Sequence, residues 1–329
     1  EGAAIAITGV PADRASQVST APQSAGHKAL ARPTDGGYVD ATDLPYVPSP
    51  SKSDQTGANI VIIEWNQHIF HPDIGRFPLH DRAVYRPDVS KYPADPLAGY
   101  VERLQSVGID RAVLVHPEPY GDDHRLVLDC LERQPDSFLG TSLFYPKDAD
   151  APQRLADLVA RQPKIVSTRF HAHRGKEQYL DSFADKGVRA LWEKAVELGL
   201  IVEMHIGPNY AAQVAEVLHE MPDTVALIDH LAEPHMGHAA EFAEVFDLAR
   251  FDNVYMKLSG LGHFNKDEPL YESARPFTRR VISEFGPQRM VWGSGTPGIV
   301  DAHMEAYSEE DRALVKGGNL ARLLGGETT

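Results

Sequence analysis

The chain has 329 residues, enough for one large domain or two ordinary ones, and its 42% hydrophobic and 24% charged residues are the proportions of an ordinary globular fold. Its 47 acidic against 32 basic residues give a formal charge of −15, which argues against nucleic acid as the main partner, because phosphate binding needs clustered Lys and Arg. The single cysteine, Cys130, excludes an intrachain disulfide and a cysteine-rich zinc module, and no apolar run reaches the roughly 18 residues of a membrane span. Cys130 sits in the apolar pattern of Leu126, Leu128 and Leu131, the pattern of a small core residue on a helix face. No basic-then-apolar leader opens the chain, so the cytoplasm is the expected location.

Residues 1–57 stand apart from the rest. The stretch from Ser16 to Asp54 is rich in Ser, Thr, Pro, Gly and Asp and shows neither helical nor strand period, so it cannot bury enough apolar surface to fold alone. It is either a disordered tail or an irregular N-terminal arm along the following domain or a partner subunit, and its spaced Tyr38, Leu44, Tyr46 and Val47 favour the arm. That domain is expected over 58–329. From Asn59 onward, short β-rich runs at 60–64, 112–115, 139–144, 165–170, 201–205, 225–229, 254–258 and 290–292 alternate with helical segments. The helices are expected at 96–107, 122–134, 151–161, 188–197, 211–219, 239–249 and 271–284. Asp95-Pro96 is a helix start, and Gly108 and Gly199 suit helix ends that need a left-handed residue. Eight strands alternating with helices imply parallel strands with right-handed crossovers. A doubly wound sheet would need a glycine-rich loop after the first strand, and Glu64-Trp65-Asn66-Gln67-His68 has none, so the expected fold is a (β/α)8 TIM-type barrel.

In such a barrel the working side chains lie where strands run out into loops. Strict alternation would turn Glu64, Asn66 and His68 together into the barrel. The fourth strand ends in Arg169, His171 and His173, the fifth in His205, the sixth in Asp229-His230, and the seventh in Lys257 and Ser259. One strand-end histidine is more often structural; several converging on one mouth suggest a metal centre, and His68, His205 and His230 would hold one Zn²⁺ or a similar divalent ion. His171 and His173 are substitute ligands or substrate contacts, as are Asn66 and Glu64. Arg169 would face a carboxylate, of a substrate or of an acidic neighbour, and His230 would move a proton. His71, His80, His116, His124, His219, His235 and His238 fall in loops or helices, away from that centre.

These strand ends, with the run from Val291 to Pro297 and the closing run from Gly318 to Leu324, resemble the amidohydrolase-related family that includes aminocarboxymuconate semialdehyde decarboxylase and pyrone dicarboxylate lactonase. The resemblance covers about residues 59–326. It implies a metal-dependent barrel enzyme acting on a small organic acid or lactone by hydrolysis, decarboxylation or lyase chemistry. Two departures stand out. The family's His-x-His is here Asn66-x-His68, and its metal-binding Asp on the last strand is here Gly295. Glycine can neither bind a metal nor take a proton, which leaves at most a mononuclear site. A second reading follows from the same losses. The chain would be a degenerate subunit of a hetero-oligomer, paired with a related barrel, similar to the two-subunit dimetal monooxygenases of this fold that hydroxylate small aliphatic acids such as α-aminoisobutyrate. Under either reading a homo- or hetero-oligomer is expected.

Overall fold

A computed structural model of the chain describes residues 61–172 and 179–325. The expected arm over 1–57 and His173 lie outside the described residues. Eight strands form one parallel sheet in sequential order: β1 (Ile63–Gln67), β2 (Arg111–Leu114), β3 (Phe138–Leu143), β4 (Ile165–Ala172), β5 (Ile201–Ile206), β6 (Ala226–Ile228), β7 (Val254–Leu258) and β8 (Met290–Trp292). The helices α1 (Pro96–Val107), α2 (Arg125–Arg133), α3 (Ala151–Arg161), α4 (Lys186–Glu197), α5 (Ala211–Glu220), α6 (Ala239–Asp247) and α7 (Arg275–Phe285) follow β1 to β7 in turn. Three short helices, α8 (Gly298–His303), α9 (Glu309–Ala313) and α10 (Asn319–Leu323), follow β8. The fold is the expected (β/α)8 barrel, and α1 and α3 have the expected bounds. The Asp95 side chain caps α1 by accepting from the Ala98 N–H, and Gly108 ends it at φ 72°. No described helix is long and apolar enough to cross a membrane.

Strand alternation sorts the side chains into two cores. Ala112, Leu114, Met204, Ile228, Met256 and Trp292 face outward and pack with helix residues such as Leu104, Leu131 and Trp192. Ile63, Trp65, Val113, Ile201, Leu227, Tyr255 and Val291 face inward, and Leu320 and Ala321 of α10 pack with them. Cys130 is buried in the outer core, where burial pushes its thiol up to about 12, so it behaves as a small apolar residue.

The first strand departs from the sequence reading in place and in facing. Within the described residues the ladder with β2 runs from Ile63, and just before it Ile62 is tied to the start of β2 by its N–H on the Asp110 carboxylate and by its carbonyl, which accepts from the Asp110 N–H; the expected start at Ile60 lies outside the described residues. A bulge then breaks the register, so that Trp65 is opposite Val113 but Gln67 is opposite Leu114. Glu64 therefore does not point into the barrel with His68. It points outward to α1, where Arg103 donates to both its oxygens at 2.9 and 3.0 Å and the Tyr100 hydroxyl donates at 2.6 Å. The extra residue brings His68 level with the inward-facing Val115, whose carbonyl accepts from His68 Nδ1 at 2.9 Å. Without the bulge, His68 would face the helices.

The same Arg103 closes the barrel. The Trp65 N–H donates to Gly293 O at 3.0 Å across the β1–β8 seam, and Arg103 donates to Gly295 O at 2.9 Å while holding Glu64. Glu64 is fully buried, so losing its cation would strand a carboxylate in the wall of the barrel. Arg103→Ala is expected to cost about 3–5 kcal/mol of stability, read from the urea midpoint. A loss under about 1 kcal/mol would show that the seam does not depend on this pair.

Candidate active site

Above the apolar floor the barrel interior carries four charges. Arg169 of β4, Glu203 of β5, Asp229 at the end of β6 and Lys257 of β7 are each at most 2% exposed. Arg169 donates to one Asp229 oxygen through Nε and a terminal nitrogen at 2.8 and 2.6 Å. Lys257 reaches the other Asp229 oxygen at 2.5 Å and Glu203 at 2.7 Å. Burial would raise the Asp229 carboxyl, but Lys257 and Arg169 override it and hold the group far below the ordinary range. Burial and the charge of Asp229 push Glu203 up, against the pull of Lys257. Two cations thus balance two carboxylates, and Arg169 is directed at an acidic neighbour within the chain.

The chain leaves β6 in an unusual way. His230, Leu231, Ala232 and Glu233 have φ values of 52°, 57°, 57° and 46°, one left-handed turn of four non-glycine residues. Each costs roughly 1–2 kcal/mol of backbone strain, so tertiary contacts must hold the turn in place. Leu231 and Ala232 anchor it with no exposed surface. The turn has a consequence for the site. Adjacent strand residues face opposite sides, yet Asp229 and His230, with His205, place one candidate ligand atom each within 4.8 Å of one another. Gly260, at φ 68°, makes room for His230, since a Cβ there would lie 2.6 Å from the His230 Cβ.

His230 Nδ1 is hydrogen-bonded to Ser259 Oγ at 2.8 Å, and its Nε2 is buried with no hydrogen-bond partner among the described residues. An orphaned N–H is costlier than an orphaned lone pair, so Nδ1 carries the proton and Nε2 the lone pair. Burial drives the imidazole well below its ordinary range, which keeps it neutral. His205 Nε2 donates to Glu233 at 2.7 Å, and its Nδ1 faces His171 Nε2 at 3.2 Å. Glu233 also accepts from His263 Nδ1 at 2.9 Å, and His235 Nδ1 lies 3.4 Å away.

Of the three histidines expected as metal ligands, the structure therefore groups His205 and His230 and adds Asp229. His68 does not join that group. It faces the same charged interior, and burial, with Arg169 second, lowers it to about 3. His171 is the neighbour of His205, and the Asn66 Oδ1 is buried without a hydrogen-bond partner among the described residues. The sequence reading places Asp229 at a strand end without making it a ligand, and Glu233 and His263 escape it. Asp229 adjoins His230 and by alternation belongs to the opposite face; Glu233 and His263 lie beyond strand ends, where nothing in the local pattern marks them.

The family model described as Amidohydrolase matches residues 63–326. The chain belongs to the amidohydrolase family. It is 28% identical over 276 residues to the 4-sulfomuconolactone hydrolase of Hydrogenophaga intermedia, covering 78% of this chain and 86% of that one. It is 29% identical over 205 residues to the L-fucono-1,5-lactonase of Burkholderia ambifaria, covering 59% of this chain and 67% of that one. An amidohydrolase structure from Burkholderia multivorans with bound zinc superposes with a TM-score of 0.59 at 16% identity, covering 81% of this chain and all of that one, a likeness of fold.

The donor set suits one divalent ion. Two imidazoles and a carboxylate converge, the His230 Nε2 lone pair is unpartnered, and Glu233 and Ser259 orient the two imidazoles as outer hydrogen-bond partners of metal ligands do. Among the described residues this is the one such group of candidate ligands. Position 295 adopts φ 91°, a conformation that L side chains rarely enter, and a Cβ there would lie 2.9 Å from the Ile299 Cδ1. Gly295→Asp is therefore expected to lower the melting temperature without adding a metal equivalent, as read by elemental analysis. A second bound equivalent would show that the backbone at 295 accepts a ligand.

Histidine burial also sets the acid limit of the fold. His116, lowered to about 4, and His124 and His230, which burial also holds well below the ordinary range, are neutral when folded and gain protons near pH 6.5 when unfolded. Their contribution is complete above about pH 6.5 and is lost as pH falls toward 4, by about 1.4 kcal/mol per pH unit for each histidine. Urea midpoints at pH 7.5 and 5.5 check this, and equal midpoints would refute it.

Proposed function

We propose that the chain is an amidohydrolase-fold enzyme that opens a lactone, or acts on a similarly small organic acid, at a mononuclear centre formed by His205, Asp229 and His230. One atom carries the reading: the buried, neutral and unpartnered Nε2 of His230. The names of the relatives, hydrolases of a sulfomuconolactone and of a sugar lactone, support the substrate class. A divalent ion such as Zn²⁺ held by the three residues would polarise the carbonyl and lower the pKa of a bound water. Every other contribution comes from the chain. Ser259 fixes the His230 tautomer, Glu233 accepts a hydrogen bond from His205, and the Arg169–Asp229–Lys257 arrangement keeps the Asp229 carboxylate ionised. In the absence of an ion, the same His230 nitrogen is equipped to accept the proton of a water attacking the lactone carbonyl.

His230→Asn is expected to lower kcat/KM on a muconolactone or aldonolactone by about 10²–10⁴-fold. Metal content measured on the same variant separates the two uses of the nitrogen: loss of the ion marks a ligand, and retention marks a base. Unchanged turnover would overturn the reading.

A second reading has its own support. The missing side chain at 295 is built into a positive-φ backbone, and position 66 carries an amide on a bulged strand, so this barrel keeps the fold without the full family ligand set. That suits a subunit which completes an oxygenase with a related, fully liganded barrel. Coexpression with such a chain separates the two readings, because an independent enzyme gains neither solubility nor metal from it.

A further inference from the structure

Glu233 enters the reading above only as the hydrogen-bond partner behind His205, yet much of the mouth is arranged around it. It is 1% exposed, it ends the left-handed turn, and its own N–H donates back to His230 O at 3.0 Å. Its carboxylate faces three imidazoles: His205 Nε2 at 2.7 Å, His263 Nδ1 at 2.9 and 3.0 Å from its two oxygens, and His235 Nδ1 at 3.4 Å. His205 and His263 are contributed by β5 and by the segment after β7, so the residue ties together elements on either side of its own. A carboxylate accepts and does not donate, so each imidazole nitrogen bonded to it must carry a hydrogen.

We propose that Glu233 is a positioning residue that sets the tautomer of His205. It holds the hydrogen on Nε2 and leaves Nδ1 as the lone-pair nitrogen turned toward His171. His263 and His235 are the more exposed members of the cluster, with side chains 30% and 36% accessible, and they cover the carboxylate on its outer side. The left-handed turn is the device that makes this possible. It returns the chain within three residues, so that His230 joins His205 and Asp229 while Glu233 lies behind His205. The proposal deepens the metal reading, but its first test does not depend on it.

The test uses the full-length chain, labelled with ¹⁵N-histidine and stripped of metal. Long-range ¹⁵N–¹H correlation spectra, assigned with His205→Asn, report which His205 nitrogen is protonated. The wild type is expected to show the Nε2–H form. Glu233→Ala is expected to lose that preference and to weaken Zn²⁺ binding by about 10–100-fold in calorimetry, the usual effect of removing a partner behind a metal-bound histidine. Glu233→Gln, whose amide oxygen still accepts, should recover most of both. A wild-type His205 protonated on Nδ1 would overturn the proposal without any variant, and so would a Glu233→Ala protein with unchanged tautomer and affinity. Should the wild type bind no Zn²⁺, the metal reading fails, and the tautomer spectra alone decide the role of Glu233.

Discussion

Asp229 is an ionised carboxylate with no exposed surface, held by Lys257 on one oxygen and by Arg169 on the other. A charge removed from water costs several kcal/mol unless partners replace the solvent, and here the partners come from β4 and β7, on either side of β5 and β6. Lys257 extends the arrangement to Glu203, so four consecutive strands are joined by charge inside the barrel as well as by their backbone ladder. Removing one member would leave another charge buried without its counterpart. This is why the interior can be polar at the mouth and apolar at the floor without loss of closure.

The placement of the site follows from that anchor. With the end of β6 pinned at Asp229, the chain turns left-handed immediately, and this brings two neighbours in sequence to the same cavity. The strain is spread over four residues and balanced by the burial of Leu231 and Ala232, by the Ser259–His230 hydrogen bond and by the histidines around Glu233. A similar substitution of local irregularity for regular alternation occurs on β1, where a bulge after Trp65 turns His68 to the interior although Glu64, before it, faces the helices. In both places the polar mouth is built where the regular pattern breaks.

Much of the architecture is legible in the chain. The alternation of short β-rich runs with amphipathic segments identifies the barrel, because a strand's period of two and a helix's of 3.6 are local properties. Asp95-Pro96 and Gly108 mark α1 at both ends. The strand-end histidines at 205 and 230 are visible because closure makes strand ends converge, so their position along the chain already implies proximity. Glu64 misleads, since alternation is correct for its strand but the phase is not readable from sequence. Nothing local reveals the bulge between Trp65 and Gln67. Glu233 and His263 are illegible for a different reason: they lie in loops, and a loop residue's direction depends on what packs against it.

The amino-acid sequence by itself determines the barrel, the convergence of imidazoles at its mouth and the absence of a side chain at position 295, since each follows from local periodicity or from residue identity. Only the tertiary structure decides which imidazoles meet, that Asp229 joins them and that Arg169 is directed at Asp229. Those outcomes depend on strand phase, backbone handedness and the matching of buried charges, and all three are set by contacts between residues far apart in the chain.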